Sequence, residues 1–162
     1  MTKEENRSLC ERYPFLIPRD WKTGKVVDNF GCEYTELDNM PEGWRKAYGE
    51  ALCEELATEL RRIGKLDEYI VLQIKEKFGA LRWYGSIRTP EIKTILQKYE
   101  DLTRFTCIKC GVPATRVTIA WICPYCENCI PIDHDGEKRY TDPIHKFWNR
   151  FDCVGGSIYE RM

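Results

Sequence analysis

Histidine is nearly missing from this 162-residue chain, which holds only His134 and His145. Neither stands at helical spacing from Glu50, Glu54, Glu55 and Glu59, so that acidic row reads as a solvated helix face rather than a carboxylate–histidine metal site. No apolar run approaches the roughly 20 residues that span a bilayer. The opening Met1-Thr2-Lys3-Glu4-Glu5-Asn6 lacks the apolar stretch of a signal peptide, so no membrane association and a cytoplasmic location are expected. There are no internal repeats, no phosphate-cradling glycine loop, no nucleophile elbow and no Ser-His-Asp pattern. Net charge is also almost absent, at −1. It is unevenly placed, however. Residues 1–60 hold 8 basic and 13 acidic side chains (−5), and residues 61–106 hold 10 and 6 (+4).

Cysteine is abundant by contrast, with nine residues. An odd count without a secretion signal argues against a disulfide framework. Five of the nine fall between Cys107 and Cys129, while Cys10, Cys32, Cys53 and Cys153 stand singly and read as buried or inert thiols. Cys107-Ile108-Lys109-Cys110-Gly111 is a knuckle, in which one turn supplies two thiolates of a tetrahedron. The second pair is ambiguous, because Cys123-Pro124-Tyr125-Cys126-Glu127-Asn128-Cys129 offers Cys123 with Cys126 or Cys126 with Cys129. The latter leaves the longer loop, which fits ribbon spacing better and can hold a strand over Thr115–Ile122, with Val117, Ile119 and Trp121 on one face. Cys107, Cys110, Cys126 and Cys129 are therefore the expected ligands of one structural Zn²⁺. Four sulfur ligands leave no open position for a catalytic water.

Elsewhere, the first 40 residues read as an irregular segment whose aromatics, Tyr13, Phe15, Trp21 and Phe30, lie against the fold. Pro41 opens a helix with Trp44, Tyr48, Ala51, Leu52, Leu56, Leu60 and Ile63 on one face, stopped at Gly64. Tyr69–Lys75 and Ala80–Tyr84 read as a hairpin around Glu76–Gly79. Thr89-Pro90-Glu91 starts a second helix that buries Ile92, Ile95, Leu96, Tyr99, Leu102 and Phe105. In the tail, Phe147, Trp148 and Phe151 suggest a packed helical turn or two, and the last residues are expected to be mobile. The expected fold is α+β: two amphipathic helices packed on a β-hairpin, continuous with a small four-cysteine zinc ribbon. The parts are 1–106, the ribbon 107–132 and a tail 133–162, in one compact unit.

Gln73-Ile74-Lys75-Glu76-Lys77-Phe78-Gly79-Ala80-Leu81-Arg82-Trp83-Tyr84, followed by Cys107-x-x-Cys110-Gly111-x-Pro113-Ala114, Trp121 and Cys126-x-x-Cys129, resembles a family of uncharacterised proteins of bacteriophages, prophages and bacterial genomes. The resemblance covers about residues 34–129 and departs at Ala80 and Ala120, where glycine is common. Family members often carry histidine as the last ligand, which implies Cys129 rather than Cys123. The setting it implies is a phage or prophage protein acting in the bacterial host cytoplasm.

Three functions follow as expectations. The first is non-enzymatic binding of a host protein, as in inhibition of antiviral defence. The second is a nucleic-acid-binding regulator using the basic middle third, with Lys75, Lys77, Arg82, Tyr84 and Arg88 as its face; alternation would put Trp83 and Leu81 in the core and Arg82 and Tyr84 outside. The third is a metal-dependent nuclease built on Asp133-His134. That pair follows both cysteine pairs instead of lying between them, so it fits the nuclease pattern poorly.

Overall fold

A computed structural model describes residues 1–27, 31–119, 121–139 and 141–152. The protein mixes helices with two small antiparallel sheets, an α+β architecture. Phe30, Ala120, Cys153 and the residues of the expected mobile end lie outside the described residues, as does the Phe151 side chain.

The N-terminus is more regular than its sequence suggests. Helix α1 (Lys3–Arg12) is held by a capping box in which Thr2 accepts the Glu5 N–H and Glu5 accepts the Thr2 N–H, satisfying two donors that a helix start leaves open. Thr2-x-x-Glu5 is the sequence signature of such a helix start. Asn6 fastens the helix by donating to Glu33 O and Asp38 Oδ2. Tyr13 and Phe15 are buried as expected, but Trp21 is exposed.

Helix α2 (Glu42–Trp44) continues through a π-helical turn (Arg45–Gly49) into α3 (Glu50–Arg62). The wide turn inserts an extra residue per turn and rotates the face that follows. Leu52, Cys53, Leu56, Ala57 and Leu60 are therefore buried while Ala51 is exposed, a phase shift that simple periodicity misses. Gly64, at φ +67°, lets the chain leave the helix while the Lys65 N–H bonds Leu60 O.

Strands β1 (Val71–Lys77) and β2 (Ala80–Gly85) form the hairpin, with Lys77 opposite Ala80. The turn is shorter than expected. It consists of Phe78 and Gly79 alone, both at positive φ (54° and 73°), the geometry that matches the strands' twist in a two-residue loop. Glu76 secures it by accepting the Gly79 N–H.

Helix α4 (Pro90–Thr103) begins where Thr89 accepts the Ile92 N–H. It buries Ile92 and Tyr99, and Thr103 takes the next inward position, where its hydroxyl accepts the Leu81 N–H. Leu102 and Phe105, expected inside, are exposed; the helix has ended before Phe105. These elements enclose the main core around Trp44, Leu52, Leu56, Tyr69, Leu81 and Trp83.

A second sheet has the order β4-β3-β5, built from β3 (Arg116–Thr118), β4 (Cys123–Tyr125) and β5 (Thr141–Pro143). Of the single strand expected over Thr115–Ile122, only Arg116–Thr118 is extended; the chain then turns, and β4 begins at Cys123. Thr118 makes that turn, its Oγ1 accepting the Cys123 N–H and bonding Trp121 O. Ile119 and Trp121 consequently project to solvent instead of sharing the Val117 face. The third strand comes from the tail and leads into α5 (Ile144–Asp152). Val117, Ala114, Ile144, Phe147 and Trp148 form a small separate core.

Candidate metal centre

Helix α4 delivers the chain directly into the first cysteine pair. Cys107 N–H bonds Val112 O at 2.8 Å and Gly111 N–H bonds Cys107 O at 3.0 Å, so the knuckle is a closed turn. Gly111 sits at φ +84°, in the left-handed region that side chains avoid. The second pair leaves β4 in a similar turn, with the Cys129 N–H bonded to Cys126 O at 3.0 Å. The Ile108 N–H donates to Pro124 O at 2.9 Å and ties the first turn to β4, the strand that leads into the second.

The sulfurs of Cys107, Cys110, Cys126 and Cys129 all lie within 4.8 Å of one another and could hold a metal ion. Cys110 Sγ and Cys126 Sγ are 3.7 Å apart. Cys123 is not in the group. It is buried in β4 opposite Thr118, and burial, with Glu76 nearby, pushes its thiol up to about 12. The overlap left open by the cysteine spacing thus has a geometric answer, with Cys126 and Cys129 in the cluster.

The four thiols do not share one environment. Burial opposes ionisation of Cys107, yet main-chain donors at Cys126, Cys110 and Lys109 outweigh it and bring the thiol down to about 7. Cys129 is driven up to about 12 by desolvation and by its three sulfur neighbours. One thiolate is stabilised by the fold, and further ionisation meets like charge at close range. A divalent cation relieves that conflict, so the donor set suits a thiophilic metal.

What supports the knuckle from outside is Gly43, which carries no strong signal in the sequence. The Gly43 N–H donates to Ile108 O at 2.9 Å. A Cβ on Gly43 would stand 2.3 Å from Cys107 O, 2.6 Å from Gly111 N and 2.8 Å from Cys110 N. Gly43 and Gly111 let the first turn of α2 press main chain to main chain against the cysteine turn. Beside it, Trp44 Nε1 donates to Thr106 O at 2.9 Å. The only sequence signal was a glycine inside a helical pattern, which marks close approach as readily as a break.

The expected binding face is divided. Lys75 and Tyr84 are half-buried and Lys77 is exposed, and the hairpin register places all three on the face away from Leu81 and Trp83. Leu81 and Trp83 are buried as alternation requires. Arg82 is the correction: it does not face out. It is 9% exposed, ion-paired with Glu100 of α4, and its Nη1 donates to Leu81 O. A long guanidinium at the sheet edge reached the helix carboxylate, which periodicity cannot foresee. Arg88 is exposed in the loop between β2 and α4, apart from the lysines. His134 and His145 are exposed, and neither joins the cysteine group. The acidic row on α3 is held by ion pairs, Glu50 with Arg12, Glu54 with Arg61, Glu55 with Lys98 and Glu59 with Arg62.

No family model, no curated protein and no solved structure matches the chain. No helix among the described residues is long and apolar enough to cross a membrane.

Proposed function

We propose that the four cysteines hold one structural Zn²⁺ as a small ribbon, and that the protein is a non-enzymatic binding module. The observation that carries this reading is the closed shell of four convergent sulfurs. A tetrahedron with Zn–S of about 2.3 Å has sulfurs about 3.8 Å apart, against 3.7 Å for Cys110 and Cys126. When bound, the ion supplies a cross-link that two short strand ends and a five-residue core do not provide. Four sulfurs leave it no position at which to activate water.

The resemblance to phage and prophage proteins gives the setting, and a host protein, such as a component of antiviral defence, is the partner this reading favours. The nucleic-acid alternative has lost one of its cations, since Arg82 is committed to Glu100. Lys75, Lys77 and Tyr84 remain for it, with Lys75 Nζ 5.3 Å from the Tyr84 ring centre. The deciding experiment is a pull-down from bacterial lysate with zinc-loaded protein, with and without nuclease, alongside salt-dependent titration with DNA and RNA. A nuclease-resistant protein partner supports the reading. Binding to nucleic acid at physiological salt, with a slope reporting several phosphate contacts, would replace it with the regulator.

A further inference from the structure

The two-stranded hairpin leaves two sheet edges to be managed. On β1, the Ile74 N–H points outward and is taken by Glu36 Oε2 at 3.1 Å. On β2, the Leu81 N–H is taken by Thr103 Oγ1 and Leu81 O by Arg82 Nη1, each at 3.0 Å. Main-chain direction alternates along a strand, so Trp83, two residues on, presents its N–H and C=O on the same outer edge as Leu81. No side chain caps it there among the described residues. Beyond it the edge opens into a groove of about 630 Å³ between β2, the following loop and α4.

The groove has an apolar wall from Ile87, Ile92 and Leu96. Its charged lining is Arg82, Arg88 and Lys93 against Glu100, three positive and one negative, net +2. Arg82 and Glu100 pair with each other at the inner end. Arg88 and Lys93 are exposed at the mouth and form no ion pair among the described residues. An open strand edge, an apolar slot beside it and two uncommitted cations together describe a site for strand addition.

We infer that this groove binds an extended acidic peptide segment of a partner protein, laid along the outer edge of β2. Its main chain pairs with the Trp83 N–H and C=O. An apolar side chain enters the slot against Leu96, and a carboxylate meets Arg88 and Lys93. The inference rests on the protein-binding reading above and names the chemistry of the partner segment.

The test uses full-length, zinc-loaded, 15N-labelled protein. The probes are the capped peptide Glu-Val-Leu-Val-Glu, its form N-methylated at the central residue, its Lys-Val-Leu-Val-Lys counterpart, and a short oligo-dT. The acidic peptide should shift the Trp83 and Gly85 amides at saturable concentration. N-methylation or charge reversal of the peptide should weaken binding about tenfold or more, since each removes a directed contact. The surface variants Arg88→Glu and Lys93→Glu should do the same while zinc content stays at wild-type level. If neither acidic peptide nor oligo-dT moves any resonance, the groove assignment is wrong and the protein-binding reading stands. Equal shifts from the N-methylated peptide would also overturn strand addition. If oligo-dT alone binds, moving the Lys75, Lys77 and Tyr84 amides, both the groove and the reading beneath it fall.

Discussion

The two cores of this protein are built on different terms. The main core gathers buried side chains from α1, α3, the hairpin and α4, with Trp44, Phe15 and Tyr69 almost wholly enclosed. The cysteine lobe has a hydrophobic cluster of five buried residues, Ala114, Val117, Ile144, Phe147 and Trp148, and strands of three residues each. Apolar burial at roughly 25 cal/mol per Å² lets the first carry its own chain entropy. The second is too small for that, and the proposed metal would supply the cross-link it needs. The lobes meet at main chain, with Gly43 against the knuckle and with the Trp44 and Trp148 indoles donating to Thr106 O and Arg104 O, and through a small apolar contact in which Ile108 packs on the main core.

This contrast can be broken most forcefully at the four cysteines and the zinc proposed for them. Removal with a chelator, or Cys107→Ser, should unfold the cysteine lobe while the main core persists, because structural zinc binding contributes roughly 10 kcal/mol or more to folding. Amide spectra would show Val117 and Phe147 signals collapsing with those of Leu56 and Ile74 kept. Loss of both sets together would mean that the lobes are not energetically distinct.

The interface between them comes next. Gly43→Ala sets a methyl against main-chain atoms that cannot swing aside. A loss of about 2–4 kcal/mol is expected, within the range for overpacking and backbone strain. Chemical denaturation with zinc affinity measured in parallel would show both falling. A variant of wild-type stability would mean that α2 is not pressed on the knuckle as described.

Beside the main core, Glu100→Gln removes the carboxylate paired with the buried Arg82 and one of the two paired with Arg104, which keeps Asp101. Breaking a largely buried pair by deleting one member costs about 3–5 kcal/mol at full burial, and less here because Glu100 is partly exposed. The double variant Arg82→Met with Glu100→Gln should recover part of the loss, which denaturation of both proteins would measure.

The smallest effect concerns the N-terminus. Burial works against Asp38, but the Met1 amino group at 2.8 Å and the Thr35 and Asn6 donors hold its carboxyl below the usual carboxylate value. A depressed folded-state value means that this contribution is present above the unfolded value of about 3.9 and disappears as pH falls through the lower folded one. The stability gap between wild type and Asp38→Asn should therefore narrow below about pH 4. A gap unchanged down to about pH 2.5 would show that the ion pair contributes nothing.

The legible parts of the molecule were those specified by local chemistry. The Thr89-Pro90 helix start, the hairpin strands and the cysteine spacing each rest on residues a few positions apart. What escaped depends on placement. The π-turn displaced the buried face of α3 from Ala51 to Cys53 and Ala57. The Thr118 hydroxyl ended a strand after three residues and turned the chain back into β4. Arg82 alternates outward in sequence, yet its length lets it reach Glu100 across the sheet edge. The third strand of the second sheet, β5, begins 12 residues after Cys129, with only three residues to announce it. Cysteine spacing favoured Cys126 with Cys129, but only the packing of Cys123 into β4 removes it from the cluster.

The central claim is one structural zinc held by Cys107, Cys110, Cys126 and Cys129. Native mass spectrometry with chelator competition on wild type, Cys123→Ser and Cys129→Ser tests it most directly. The account predicts one zinc per chain in wild type, full retention in Cys123→Ser, and sharply weakened retention in Cys129→Ser, since a serine hydroxyl is a poor zinc ligand. Wild-type protein without metal, or zinc lost from Cys123→Ser and kept by Cys129→Ser, would contradict it.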